Sequence, residues 1–126
     1  MEFKALIDSY AEKFQLGAIA PDEEGAVRLS ADGIGIWLRP TPDGESVQIR
    51  VRVGELPAGR SEQMMRMMEA MFLGRGTGSA VFAIRPGSDE CFLQRTLSIA
   101  GIGLDEFDLE LGRMVDLTEI CGTALA

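Results

Sequence analysis

The period of the apolar positions changes several times along the chain, and each change marks an element. Over residues 2–16, Phe3, Leu6, Ile7, Tyr10 and Phe14 recur at i, i+3, i+4, i+7 and i+11. Glu2, Lys4, Asp8, Glu12 and Lys13 occupy the other side, so the spacing predicts an amphipathic helix that stops at Gly17. Pro21-Asp22-Glu23-Glu24-Gly25 reads as a turn. The period then falls to two. Ala26–Ser30 and Ile34–Arg39 read as strands joined by Ala31-Asp32-Gly33, and Pro40-Thr41-Pro42-Asp43-Gly44 turns the chain again. In Ser46–Val53 the alternation is strict: Val47, Ile49, Val51 and Val53 share one face, and Gln48, Arg50 and Arg52 share the other. This is a meander with one side buried. Residues 60–73 return to a helical period, with Ser61 as cap and Gly74 as stop. Ser79–Arg85 and Cys91–Leu97 are strands flanking Pro86-Gly87-Ser88-Asp89. Residues 104–121 form the last helix, with Leu104, Phe107, Leu111, Met114, Val115 and Thr118 facing the core. Asp105, Glu106 and Asp108 lie in its first turn, where the helix dipole favours anions. The expected fold is α+β in the order α-β-β-β-α-β-β-α, an antiparallel twisted sheet packed by helices.

Two strands of the pattern leave apolar material without an evident place. Five of the seven methionines fall in the second helix, where Met64, Met67, Met68 and Met71 form one stripe while Met65 and Phe72 lie on another side. A helix apolar over more than one face packs on its own sheet and on something else. A subunit interface is the favoured reading, against a helix sandwiched in the core of one subunit. In the second strand Ile34, Ile36 and Leu38 share a face, so Trp37 projects from the opposite one. That side of the sheet is covered by a partner, or it carries a lone surface tryptophan or one covered by the chain itself. The faces of Phe82 and Phe92 are not assignable from the pattern.

Composition sharpens this picture by exclusion. The 126 residues fit one domain, residues 1–126, and hydrophobic residues make up 46% of it, a generous share for so short a chain. There is no His, which removes Ser-His-Asp and Cys-His nucleophilic sites, HExxH zinc sites and imidazole bases. A formal net charge of −8 makes the chain a poor generic ligand for phosphate backbones, so no nucleic-acid partner is expected. The start of the sequence lacks the apolar segment of a signal peptide, and no run is long enough to insert in a membrane. A cytoplasmic protein is expected, with Cys91 and Cys121 reduced and buried.

The segments that resemble chemistry do not carry it far. Gly74-Arg75-Gly76-Thr77-Gly78-Ser79 runs from a helix into a strand, the reverse of a phosphate cradle, and lacks the lysine of a P-loop. It reads as a helix cap and a tight turn. The carboxylates are scattered, without the spacing of a calcium loop, and metal-ligating His is missing. No enzyme activity, cofactor or metal is expected.

Taken together, several segments resemble the class I type III secretion chaperones, the Tir chaperone (CesT-like) family. The likeness runs from Leu6–Gly17 into Asp22–Leu29, continues through Leu56-Pro57-Ala58-Gly59, and is best in Glu69–Ala80 with its Gly-Thr-Gly. The family often has Asn where Met71 stands. The resemblance implies a non-catalytic homodimer that binds the N-terminal region of a secreted effector. It would hold that region extended and soluble and deliver it to the secretion apparatus, with the secretion ATPase as a further partner. It implies an effector-binding groove at Phe3, Ile7, Tyr10, Val27, Leu29, Ile34 and Trp37, and a dimer contact at Met64, Met67, Met68, Met71 and Phe82. The alternatives are an adaptor or regulatory interaction domain of the same fold, and a small-ligand-binding domain using Gly74–Ser79.

Overall fold

The computed structural model describes residues 2–17, 19–31, 33–56, 61–72 and 80–125. The elements are α1 (Phe3–Lys13), β1 (Val27–Ala31), β2 (Ile34–Pro40), β3 (Ser46–Glu55), α2 (Ser61–Met71), β4 (Val81–Ile84), β5 (Glu90–Ser98) and α3 (Leu104–Leu125). Their order is the expected one. The strands form a single open antiparallel sheet in the order β1-β2-β3-β5-β4, which leaves β1 and β4 as edges.

Boundaries shift by one to four residues from the expectation in every element, and three of the shifts show in the backbone. Helix α1 ends at Lys13 because Gln15 takes a left-handed backbone (φ 54°) and the Leu16 amide turns back to the Ala11 carbonyl at 2.9 Å. Helix α3 runs on past residue 121 to Leu125. Strand β3 continues to Glu55 through a bulge between Arg52 and Gly54. The turn residue Asp32, the segment Pro57–Gly59 and the whole of Gly74–Ser79 lie outside the described residues.

One face of the sheet is the core. Register places Val27, Leu38 and Ile49 in one row and Leu29, Ile36, Val51 and Leu93 in the next. Leu6, Ile7 and Tyr10 of α1 and Phe107, Leu111, Met114 and Val115 of α3 close over them. Phe107, Leu6, Leu38, Val47, Ile49, Val51 and Leu93 are all completely buried. At about 1.5–3 kcal/mol for each fully buried large apolar side chain, this layer is the main favourable term in folding. A satellite cluster of Leu56, Met67 and Cys91 lies beneath α2, with Val53 and Phe82 reaching both clusters.

Polar groups tie the helices to this core. Tyr10 donates its hydroxyl proton to Asp108 of α3 at 2.7 Å, and Lys13 pairs with Asp105. On the inner face of β5, opposite Ile49, stands Arg95. Its charge is met by Glu110 of α3, a buried carboxylate that also accepts from Arg113 at 2.8 Å. A charge on the covered face persists only when paired and hydrogen-bonded.

Candidate partner-binding surfaces

Three surfaces remain after the core is assembled. The first lies between α1 and β1. The chain after α1 returns along the helix to enter β1, and Asp22 fixes the approach by accepting the amides of Glu24 (2.9 Å) and Ala26 (3.0 Å). The result is an almost wholly apolar hollow of about 260 Å³ between Phe3, Ile7, Ile19, Pro21, Val27 and Pro40. Beside it, β1 pairs with β2 alone among the described residues, so its other edge is open to a further strand. A second depression, of about 290 Å³, lies further along, between Tyr10, Leu29, Leu16 and α3. Burial first, then the hydrogen bond to Asp108 and its charge, push the Tyr10 hydroxyl well above its ordinary pKa, so it stays a neutral donor.

Of the residues expected in a groove, Phe3, Ile7 and Val27 meet in the first hollow, and Tyr10 and Leu29 line the second. Ile34 is partly buried against the core at the far end of β2. Trp37 does not join them. It lies on the opposite face of the sheet, as the alternation of β2 requires. Ile19, Pro21 and Pro40 were not foreseen, because loop residues carry no periodicity to place them.

The second surface is α2. Its stripe divides: Met67 is buried by its own chain, Met71 is half-buried with its sulfur 3.2 Å from the Phe82 amide, and Met64 and Met68 face solvent. Met65 and Phe72, 61% and 64% exposed, widen the apolar patch. Phe82 is partly buried on the helix side, opposite Leu93.

The third surface is the outer face of the sheet. Phe92 belongs to it, opposite Arg52, and stands edge-on to Trp37 with ring centres 5.8 Å apart. The guanidiniums of Arg28 and Arg50 lie over these rings. Arg28, Trp37 and Arg50 are neighbours across three strands, a register that single-strand alternation does not reveal.

Among the described residues, no cluster of three His, Cys, Asp or Glu side chains is placed to hold a metal ion, and no helix is long and apolar enough to cross a membrane. Helix, free strand edge and apolar hollow together suit an extended polypeptide.

Residues 5–121 match the Tir chaperone protein (CesT) family. The chain belongs to that family. Its function is accordingly that of a secretion chaperone that binds an effector, and the adaptor and small-ligand alternatives are not favoured. Solved structures share the fold across nearly the whole chain. The Yersinia pestis type III secretion chaperone SycH, solved with a stable fragment of YscM2, is 20% identical, with a TM-score of 0.71 over 97% of this chain and 98% of that one. The ExsC–ExsE complex gives 20% identity and a TM-score of 0.78 over 99% and 97%. The ExoU–SpcU complex of the Pseudomonas aeruginosa type III secretion system gives 13% and 0.72 over 94% and 97%. No curated protein sequence matches the chain.

Proposed function

We propose that this chaperone acts without catalysis, as a homodimer in the bacterial cytoplasm, on the N-terminal segment of a type III effector. The observation that carries this reading is the apolar hollow beside the free edge of β1. An extended segment can add to that edge by main-chain hydrogen bonds. Its alternate side chains then enter the hollow at Phe3, Ile7 and Val27 and the depression at Tyr10 and Leu29. Ile34 contributes at the far end of the sheet, and Trp37 lies outside this path.

The dimer contact is proposed at the exposed part of α2, with Met64 and Met68 as anchors and Met67, Met71 and Phe82 supporting them from beneath. Methionine suits such a surface because it adapts to irregular neighbours. A held segment stays soluble until the secretion apparatus, its ATPase included, receives it.

The test is co-expression with effector N-terminal segments from the same host, followed by affinity capture and sedimentation. Phe3→Asp places a charge in the hollow at a half-buried position outside the central core. Capture is expected to fall at least about tenfold, the effect of losing one good anchor, with dimer and fold retained. Unchanged capture by Phe3→Asp would remove the hollow from the binding path.

A further inference from the structure

The outer face of the sheet is not a plain polar surface. In register across it stand Arg28, Trp37, Arg50 and Gln94. The Arg28 guanidinium lies 5.2 Å from the Trp37 ring centre, and Arg50 lies between the two aromatics, 5.8 Å from Trp37 and 5.2 Å from Phe92. Arg85 also lies over Phe92, at 5.4 Å. The indole is held flat by Gly35, where an added Cβ would sit only 3.0 Å from the ring. Guanidiniums and rings therefore alternate across four strands, each cation resting on a π face.

The charges in this stack are poorly matched. Within 4 Å, neither Arg28 nor Arg50 has a carboxylate among the described residues, in a chain with a net charge of −8. The Nε of Arg50 is buried and has no hydrogen-bond partner among the described residues. Arg39, Arg52 and Arg85 reach acids only at 3.7–3.9 Å, too far for a good charge-assisted hydrogen bond. Arg39, Arg50 and Arg85 border one depression of about 250 Å³, together with the side-chain amides of Gln48 and Gln94 and the Trp37 ring. Asp22 and Glu24 also line it, but one oxygen of Asp22 is already taken by two backbone amides, and Glu24 reaches Arg39 only at 3.9 Å.

We propose that this depression is a second docking site, for a short acidic segment of a partner polypeptide. A carboxylate from the segment pairs with the Arg50 guanidinium, which meets no carboxylate within 4 Å among the described residues, and bridges it to Arg39 or Arg85. The two glutamine amides suit the peptide groups on either side, since an amide both donates and accepts. Trp37, half-buried, forms the wall against which an intervening apolar side chain packs, with the buried Phe92 supporting it edge-on. A nucleic-acid backbone fits worse: it brings a charge with every nucleotide against Asp22 and Glu24 as well as the arginines, whereas a peptide sets one carboxylate among neutral groups. The site lies on the side of the sheet away from the α1–β1 hollow and does not depend on the effector reading.

Trp37 is the only tryptophan, so its emission reports occupancy directly. The probes for the full chain are a short end-blocked peptide alternating Glu and Val, the matching Gln/Val peptide, and a single-stranded oligonucleotide of matching charge. The Glu/Val peptide is expected to give a saturable change in Trp37 emission that weakens with salt. Arg50→Met should weaken binding at least about tenfold, the effect of losing one charge-assisted hydrogen bond. Circular dichroism checks its fold; if it does not fold, the exposed Arg28→Gln replaces it, with weaker binding expected. No saturable response to the Glu/Val peptide, an equal response to the Gln/Val peptide, or tighter binding of the oligonucleotide overturns the proposal. So does wild-type affinity in the folded variant.

Discussion

Two methionines one residue apart in α2 offer a sharp test of how the helix is used. Met67 is 7% exposed and sits in the satellite cluster with Leu56 and Cys91, whereas Met68 is 68% exposed. Met67→Ala removes the outer part of a buried side chain. Such changes cost about 2–5 kcal/mol, and a small cluster that can settle should sit near about 2–3. Met68→Asp touches little within the subunit and should cost less than about 0.5 kcal/mol there. In a dimer packed through this helix, however, it buries an unpaired carboxylate, worth about 3–5 kcal/mol. Each 1.4 kcal/mol is about tenfold, so the dimer constant should weaken by about a hundredfold or more. Urea unfolding followed by circular dichroism measures the first effect, and sedimentation equilibrium the second. The expected pattern is crossed: Met67→Ala lowers stability at every protein concentration, and Met68→Asp abolishes only the concentration-dependent part. If Met68→Asp unfolds the subunit, or leaves an existing dimer intact, the assignment of faces on α2 is wrong.

Other consequences follow from the buried polar groups. Tyr10→Phe removes the donor to Asp108 and should cost about 1–2 kcal/mol in urea unfolding at neutral pH. The folded-state pKa of Tyr10 is raised, so its contribution is complete below the unfolded value of about 10 and fades above it; the variant should lose less stability at high alkaline pH. Burial, with a smaller effect from nearby Cys121, pushes the Cys91 thiol up to about 11. Stability should therefore decline as pH rises from about 8.5 towards 11, and a thiol reagent at pH 8 should label Cys91 only after denaturant is added. Arg95→Met leaves Glu110 with Arg113 alone in a nearly closed site, and should cost about 2–4 kcal/mol by the same unfolding assay.

The elements were legible because their periods are clean. Alternation in β3 and the i, i+3, i+4 spacing in α1 and α3 each reflect a single buried face, and the core follows from them. What resisted reading depends on register between strands. Nothing in either segment alone says that Arg28, Trp37 and Arg50 are neighbours, or that Phe92 turns outward while Phe82 turns in. The pairing of Arg95 is invisible in the sequence because its partner, Glu110, lies on another element. The groove residues were only partly legible. Phe3, Ile7 and Val27 are periodic, whereas Ile19, Pro21 and Pro40 are placed by how the loops close. The α2 stripe was visible, but which methionines face inward was set by the satellite cluster beneath it.

The sheet also separates charge. Arg28, Arg39, Arg50, Arg52 and Arg85 lie towards its outer side, while α3, across the core, exposes Asp105, Glu106, Asp116 and Glu119. The molecule is thus electrically two-sided although its net sign is negative. In the field of a charged neighbour it experiences a torque as well as a force, and turns before it touches. An acidic surface meets the arginine side first and a basic surface meets α3. Such orienting acts within about a Debye length, some 8 Å at physiological salt. It makes approach direction, and not overall charge, the quantity that salt tunes, so this −8 protein should be retained weakly by a cation exchanger as well as by an anion exchanger.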